Sequence, residues 1–310
     1  MTARGRHLPS YRHITMMYLE LISEMYLATA SPQEVWQMLL HPWTQGIMQR
    51  ALAEVALLGL VGGVLGCWIV FYELSYSAES LAHAMLPGLV IAALFSFPLV
   101  LGAMIGVTVA GVAIAIFGRA TGIGRDTAVA VVISALFGLG VVLALSADSP
   151  PGIQELLFGD ILGVSDLDLL LAAGLATVIL VALWLLHRQL LAIGFDRSSA
   201  RSIGVNPTLA DVALLILMAL ATIIAVQGLG NLLVVAVLIS PAATARMIAR
   251  RMVPMMAFAT LLAVLAGVVG LYLSYYAGTA GGASVAGTMV ALYLTVLTGG
   301  AVRRRLRKEH

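Results

Sequence analysis

The chain has 310 residues, 61% of them hydrophobic and only 10% charged, with a formal net charge of +2 and a mean hydropathy of +1.03. A surface that faces water carries roughly 25% charged residues, so this composition excludes a soluble domain, a disordered chain and a nucleic-acid binder, and leaves a polytopic membrane protein. The single cysteine, Cys67, excludes an intrachain disulfide and a thiolate zinc site.

Residues 1–45 read as an N-terminal extension. The basic start (Arg4, Arg6, Arg12) leads into a segment broken by Glu20 and Glu24, which does not match a cleavable signal peptide. Residues 14–40 are expected to form an interfacial helix and then a short helix capped at Ser31-Pro32. A span needs about 20 predominantly apolar residues, and the predicted spans are 50–71, 82–97, 98–118, 127–147, 168–187, 210–227, 229–248, 254–276 and 285–302. The second is short and meets the third at Ser96-Phe97-Pro98. A hairpin gives nine spans and a re-entrant segment eight, so the fold class is an all-α membrane bundle of eight to nine helices. Proline removes a backbone hydrogen bond, and Ser240-Pro241 is expected to kink span seven. The domain reading is 1–45 extension, 46–302 transmembrane domain and 303–310 basic tail.

Charge orients the bundle. Arg119 and Arg125, then Arg188, Arg197 and Arg201, then Arg246, Arg250 and Arg251, and finally the 303–308 run sit in alternate loops, whereas the 146–168 loop holds five carboxylates and no Lys or Arg. The positive-inside rule places the basic loops and the tail in the cytoplasm. Nine spans then put residue 1 outside, against its own arginines, and eight put it inside.

Two segments carry candidate function. Glu79 and His83 lie at i and i+4, a spacing that stacks side chains on one helical face. A carboxylate and an imidazole so placed hold either a divalent cation or each other, and oxygen with nitrogen suits zinc or manganese. In the 188–210 loop, Asp196 is expected to cap a short helix over Arg197–Ile203, Gly204 to end it in the left-handed conformation, and Pro207 to open the next span. Arg50 and Glu54, also i and i+4, are expected to form an ion pair, and Gln227 and Asn231 to satisfy freed backbone groups or line a cavity. No Gly-x-x-x-x-Gly-Lys-[Ser/Thr] loop occurs, so the chain is not expected to hydrolyse ATP itself.

Met48-Gln-Arg-Ala-Leu52, Glu79 through Gly88, Leu157-Phe-Gly-Asp-Ile-Leu162, Gly194-Phe-Asp196 through Gly204, and Leu232 through Arg246 with its Ile-Ser-Pro-Ala-Ala-Thr-Ala-Arg ending occur in that order. Over residues 45–302 the chain resembles the permease subunits of the ABC-3 type zinc/manganese importers. The resemblance implies a homodimer in the bacterial cytoplasmic membrane, a separate dimeric ABC ATPase, an extracytoplasmic metal-binding protein and surrounding lipid. It also implies no permanently bound cofactor, with ATP used by the partner subunit. Zinc is the first expectation for the cargo and manganese the alternative, with an iron-chelate or cobalamin permease as the rival. Glu79 and His83 fall on the family's metal motif, which usually has Asp where this chain has Glu79. Asp196, Arg197, Arg201 and Gly204 fall on its ATPase-coupling loop, and Phe71-Tyr72-Glu73 replaces a basic pair common in relatives. A gradient-driven secondary transporter and a membrane metalloenzyme are the readings from other classes.

Overall fold

A computed structural model describes residues 36–37, 40–117, 125–146, 157 and 159–306. The expected helices before residue 36 and the last four residues of the tail lie outside the described residues. The chain divides into two compact units, 1–46 and 47–310. In the first, Pro42 opens a 3-10 turn over His41–Thr44, closed by the Thr44 hydroxyl donating to the His41 carbonyl at 2.7 Å.

The second unit is helical throughout its described residues. Its elements are α1 (Gly46–Phe71), α2 (Ser75–Leu94), α3 (Leu99–Phe117), α4 (Arg125–Ala144), α5 (Asp166–Phe195), α6 (Arg197–Ser202), α7 (Pro207–Leu229), α8 (Val234–Ile248), α9 (Met252–Ala277) and α10 (Gly281–Leu306). Six of these are long and apolar enough to cross a bilayer, and α3, α4 and α8 carry shorter apolar stretches. Hydrocarbon offers no partner to an open backbone, so continuous helices are the solution. The chain is a multi-pass integral membrane protein. The second predicted span starts earlier than expected, at Ser75, and runs as one 20-residue helix. It is long and apolar enough to cross a bilayer.

Sidedness follows from which ends meet. At the end of α1 the Phe71 ring lies 6.5 Å from Phe195 at the end of α5, and the Arg246 guanidinium of α8 sits 5.9 Å over the same ring. These ends carry the basic residues and face the cytoplasm. At the opposite end Arg50 pairs with Asp166 at 3.3 Å, and the Leu232 N–H donates to the Leu157 carbonyl, inside the acidic segment. By the same rule the start of α1 lies at the end opposite the basic residues. Arg50 does not pair with Glu54 as the i, i+4 spacing suggested, because Asp166 from α5 offers an exposed carboxylate at that mouth, while Glu54 turns inward to 2% exposure. Pro241 lies inside α8, which runs as one helix from Val234 to Ile248.

Small residues bring the helices to backbone contact. A Cβ at Gly88 of α2 would overlap the Gly102 carbonyl of α3, and one at Gly66 of α1 would overlap the Leu238 carbonyl of α8. Close approach through glycine is how helices associate when lipid removes the hydrophobic drive. Gly88→Val is expected to lower the melting temperature in detergent, since overpacking costs about 1–3 kcal/mol. In a Cys67→Ser background, cysteines at Ser146 and Ser165 should react with an impermeant maleimide from outside intact cells, and one at Ser199 only after permeabilisation. Labelling of Ser199→Cys in intact cells would contradict the assigned orientation.

Candidate functional site

The turn before α2 is built without glycine. Glu73 takes φ 59°, the Leu74 N–H donates to the Ile69 carbonyl at 2.8 Å, and the Glu73 N–H to the Val70 carbonyl at 3.4 Å. This paired closure of a helix C-terminus reverses the chain in three residues and starts α2 at the cytoplasmic side. Glu79 and His83 then lie about 6 Å and 12 Å along α2 at 1.5 Å per residue.

The two side chains do share a face. His83 Nε2 is 3.8 Å from Glu79 Oε1, with the carboxylate side chain 52% exposed and the imidazole 24%. Phe137 of α4 packs on the imidazole, ring centroids 4.5 Å apart, and fixes its plane. Nδ1 is buried and has no hydrogen-bond partner. Pro87 lies inside α2 and lacks the N–H that would bond the His83 carbonyl, so that backbone oxygen is released from the helix ladder beside the pair. Among the described residues no three carboxylate, imidazole or thiol groups gather as a metal site. The arrangement is a two-side-chain donor set, open on the carboxylate side, that can hold a passing dication in place of hydration water without enclosing it.

The second candidate is on the cytoplasmic face. Asp196 caps α6 and accepts hydrogen bonds from the Ser198 N–H at 2.9 Å, the Ser198 hydroxyl at 2.7 Å and the Ser199 hydroxyl at 2.5 Å. These donors, first the Ser199 hydroxyl and then the Ser198 hydroxyl, hold its carboxyl well below the usual carboxylate range. Gly204 follows at φ 83°, with the Val205 N–H donating to the Ala200 carbonyl. The sequence placed the cap and the left-handed end correctly. It did not find Asp211, on α7, which receives Arg197 through two bonds of 3.0 and 2.9 Å. Fourteen residues separate the pair, and no local spacing rule reaches that far. Tyr72 donates to the Leu190 carbonyl at 2.7 Å. Burial, and then the Asp211 carboxylate, push its phenol up to about 12, so it remains a neutral donor. Arg201 is exposed in the last turn of α6. Phe195, Ile203 and Leu209, 82%, 71% and 68% exposed, surround α6 with apolar surface.

The other polar candidates divide. Asn231 is fully buried, and neither its amide nitrogen nor its oxygen finds a partner, so it does not satisfy backbone groups as expected. The Gln227 side chain lies outside the described residues.

The model of the family described as ABC 3 transport family matches residues 44–300. The chain is 32% identical over 247 residues to the manganese import system permease protein ScaB of Streptococcus parasanguinis, covering 80% of this chain and 88% of the relative. It is 31% identical over 242 residues to the chelated iron transport system membrane protein YfeD of Yersinia pestis, covering 78% and 82%. Among solved structures it superposes on PsaBC from Streptococcus pneumoniae in complex with Fab with a TM-score of 0.79 at 29% identity, covering 84% of this chain and 95% of that one.

Because Asp196 has a lowered folded-state pKa, its cap is fully formed above the ordinary carboxylate value and is lost only as pH falls through the lower folded value. Amide protection in α6, corrected for intrinsic exchange, should therefore be flat over about pH 5–8. Asp196→Ala should speed exchange at Ser198–Ser202 at neutral pH, read by hydrogen–deuterium exchange mass spectrometry. A protection profile that titrates near pH 6 would contradict the assignment.

Proposed function

The chain belongs to the ABC 3 transport family, and from that membership we propose that it is the membrane permease of an ATP-driven importer for manganese. It is a multi-pass protein of the bacterial cytoplasmic membrane, and the transmembrane permease unit spans residues 46–302, flanked by the 1–45 extension and the 303–310 tail. The observation that carries the reading is the Glu79–His83 pair on one face of α2, inside a chain matched along 80% of its length to a manganese import permease. Sequence alone put zinc first. The donor chemistry of one carboxylate and one imidazole does not separate the two ions. The relatives' names, manganese and chelated iron, support manganese over zinc.

In this reading two copies of the chain assemble with a dimeric ATPase that hydrolyses ATP, and an extracytoplasmic binding protein presents the ion to the acidic outer loops. Glu79 and His83 replace part of the hydration shell, and a two-side-chain set is weak enough to release its cargo. The exposed apolar rim of α6, with Ile203 and Leu209, is the surface the ATPase covers. Asp196, Arg197, Arg201 and Gly204 shape that helix, and the Arg197–Asp211 fork passes its displacement to α7. The spans then rock between outer and inner access.

The reassembled complex in proteoliposomes should take up radioactive manganese with ATP and the binding protein. Glu79→Ala with His83→Ala should cut the rate at least about tenfold, the loss usual for perturbed metal sites, while Glu79→Asp keeps it. Uptake unaffected by the double variant would remove the site, and uptake of zinc in preference to manganese would return the cargo to the first expectation.

A further inference from the structure

The cytoplasmic ends of α1, α5 and α8 and the start of α9 enclose a cavity of about 700 Å3. Arg246, Arg250 and Arg251 line it together with His187, and Phe71, Leu191 and Phe195 are among its apolar walls. Among the described residues none of the three arginines has a carboxylate within 4.0 Å. Arg246 is steered into place by its seat over Phe71, at 5.9 Å. The first backbone N–H groups of the 26-residue α9 open beside them, since Arg251 is its N-cap and no side chain caps that end. Three guanidinium groups and an uncapped positive helix end make an anion cradle.

A second cavity, of about 350 Å3, runs on from the first and shares His187 and Val253 with it. Its walls include Val64, Trp68, Leu183 and Trp184, and it reaches back along α5 to Leu180, about 10 Å below His187 at the helical rise. Trp68 is fully buried, and its ring meets His187, which both cavities share, edge-on at 5.4 Å. Trp184 is 74% exposed at the depth where amphipathic aromatics mark the bilayer interface.

We infer that this paired cavity is a binding site for an anionic phospholipid of the cytoplasmic leaflet. The phosphate sits among Arg246, Arg250 and Arg251, and one acyl chain lies in the crevice beside Trp184. Charge decides the head: basic pockets between spans on the cytoplasmic side recruit acidic lipid headgroups. The crevice decides against a free phosphate, which would leave that apolar slot empty. The site is separate from the Glu79–His83 pair and does not depend on the cargo.

The test uses full-length permease with Trp36→Phe and Trp43→Phe, which leaves Trp68 and Trp184 as the only tryptophans. It is reconstituted in phosphatidylcholine bilayers containing trace lipid brominated on the acyl chains. Brominated phosphatidylglycerol should quench at about tenfold lower mole fraction than brominated phosphatidylcholine, inorganic phosphate should not compete, and Arg246→Gln/Arg250→Gln/Arg251→Gln should abolish the preference. Replacing the same three with Lys should retain most of it, which separates lost charge from lost folding. Equal quenching by both lipids, displacement by phosphate, or a preference that survives the glutamine variant would overturn the inference. So would the absence of quenching by either lipid, which would mean a second copy or another protein covers this face.

Discussion

Inside the hydrocarbon layer a polar group has no water to fall back on, and most of this structure can be derived from that one constraint. Each crossing segment closes its own backbone as a helix, and hydroxyls at depth return to the carbonyl one turn back, as Thr108 does to Met104, Thr222 to Met218 and Thr244 to Ser240. Thr288 of α10 reaches across to the Ala266 carbonyl of α9 at 2.7 Å as well, so the same hydroxyl chemistry joins two helices. Glycines let backbones approach where lipid gives no reason for side chains to interdigitate. The groups that escape the constraint stand out. They are the Glu79–His83 pair with its released carbonyl, the buried Glu54 and Asn231, and the Trp68 indole.

The cytoplasmic layer has a different construction, and its polar contacts span the bundle. The Tyr72 phenol ties the end of α1 to α5, Arg197 ties α6 to α7, and Arg246 of α8 leans on Phe71. A push on α6 from the cytoplasm therefore reaches α7 through a bidentate charged fork, which holds both distance and plane. The glycine-free turn at Tyr72–Leu74 links this layer to α2, so the helix bearing the donor pair begins where the mechanical contacts converge. Phe71 and Tyr72 put aromatic packing and a neutral hydrogen bond beside the arginine of α8.

Most of the architecture was legible in the amino-acid order because the bilayer imposes long apolar periods and the loops alternate in charge. The α6 motif was legible for a local reason: Asp196, Gly204 and Pro207 each act on backbone groups within a few residues. The Glu79–His83 juxtaposition was legible from helical spacing alone. Errors arose where a distant residue competed with a near one. Arg50 has a carboxylate four residues away and chose one 116 residues away, because Asp166 lies at the same membrane depth and in contact with water, where an ion pair is least costly.

The order of residues by itself determined that this is a helical membrane bundle, which loops face the cytoplasm, where α6 is capped, and that an acid and an imidazole share a helical face. Those properties depend on solvent partition and on interactions within one or two turns. Only the tertiary structure decided that the second predicted span begins at Ser75 as one continuous helix, that the donor pair packs against Phe137, that Arg197 grips Asp211, and that three arginines from the α8–α9 junction open onto an apolar crevice beside Trp68. Those depend on which helix ends are neighbours, and close approach of backbones far apart in the chain sets that, through shape rather than through any periodicity a sequence carries.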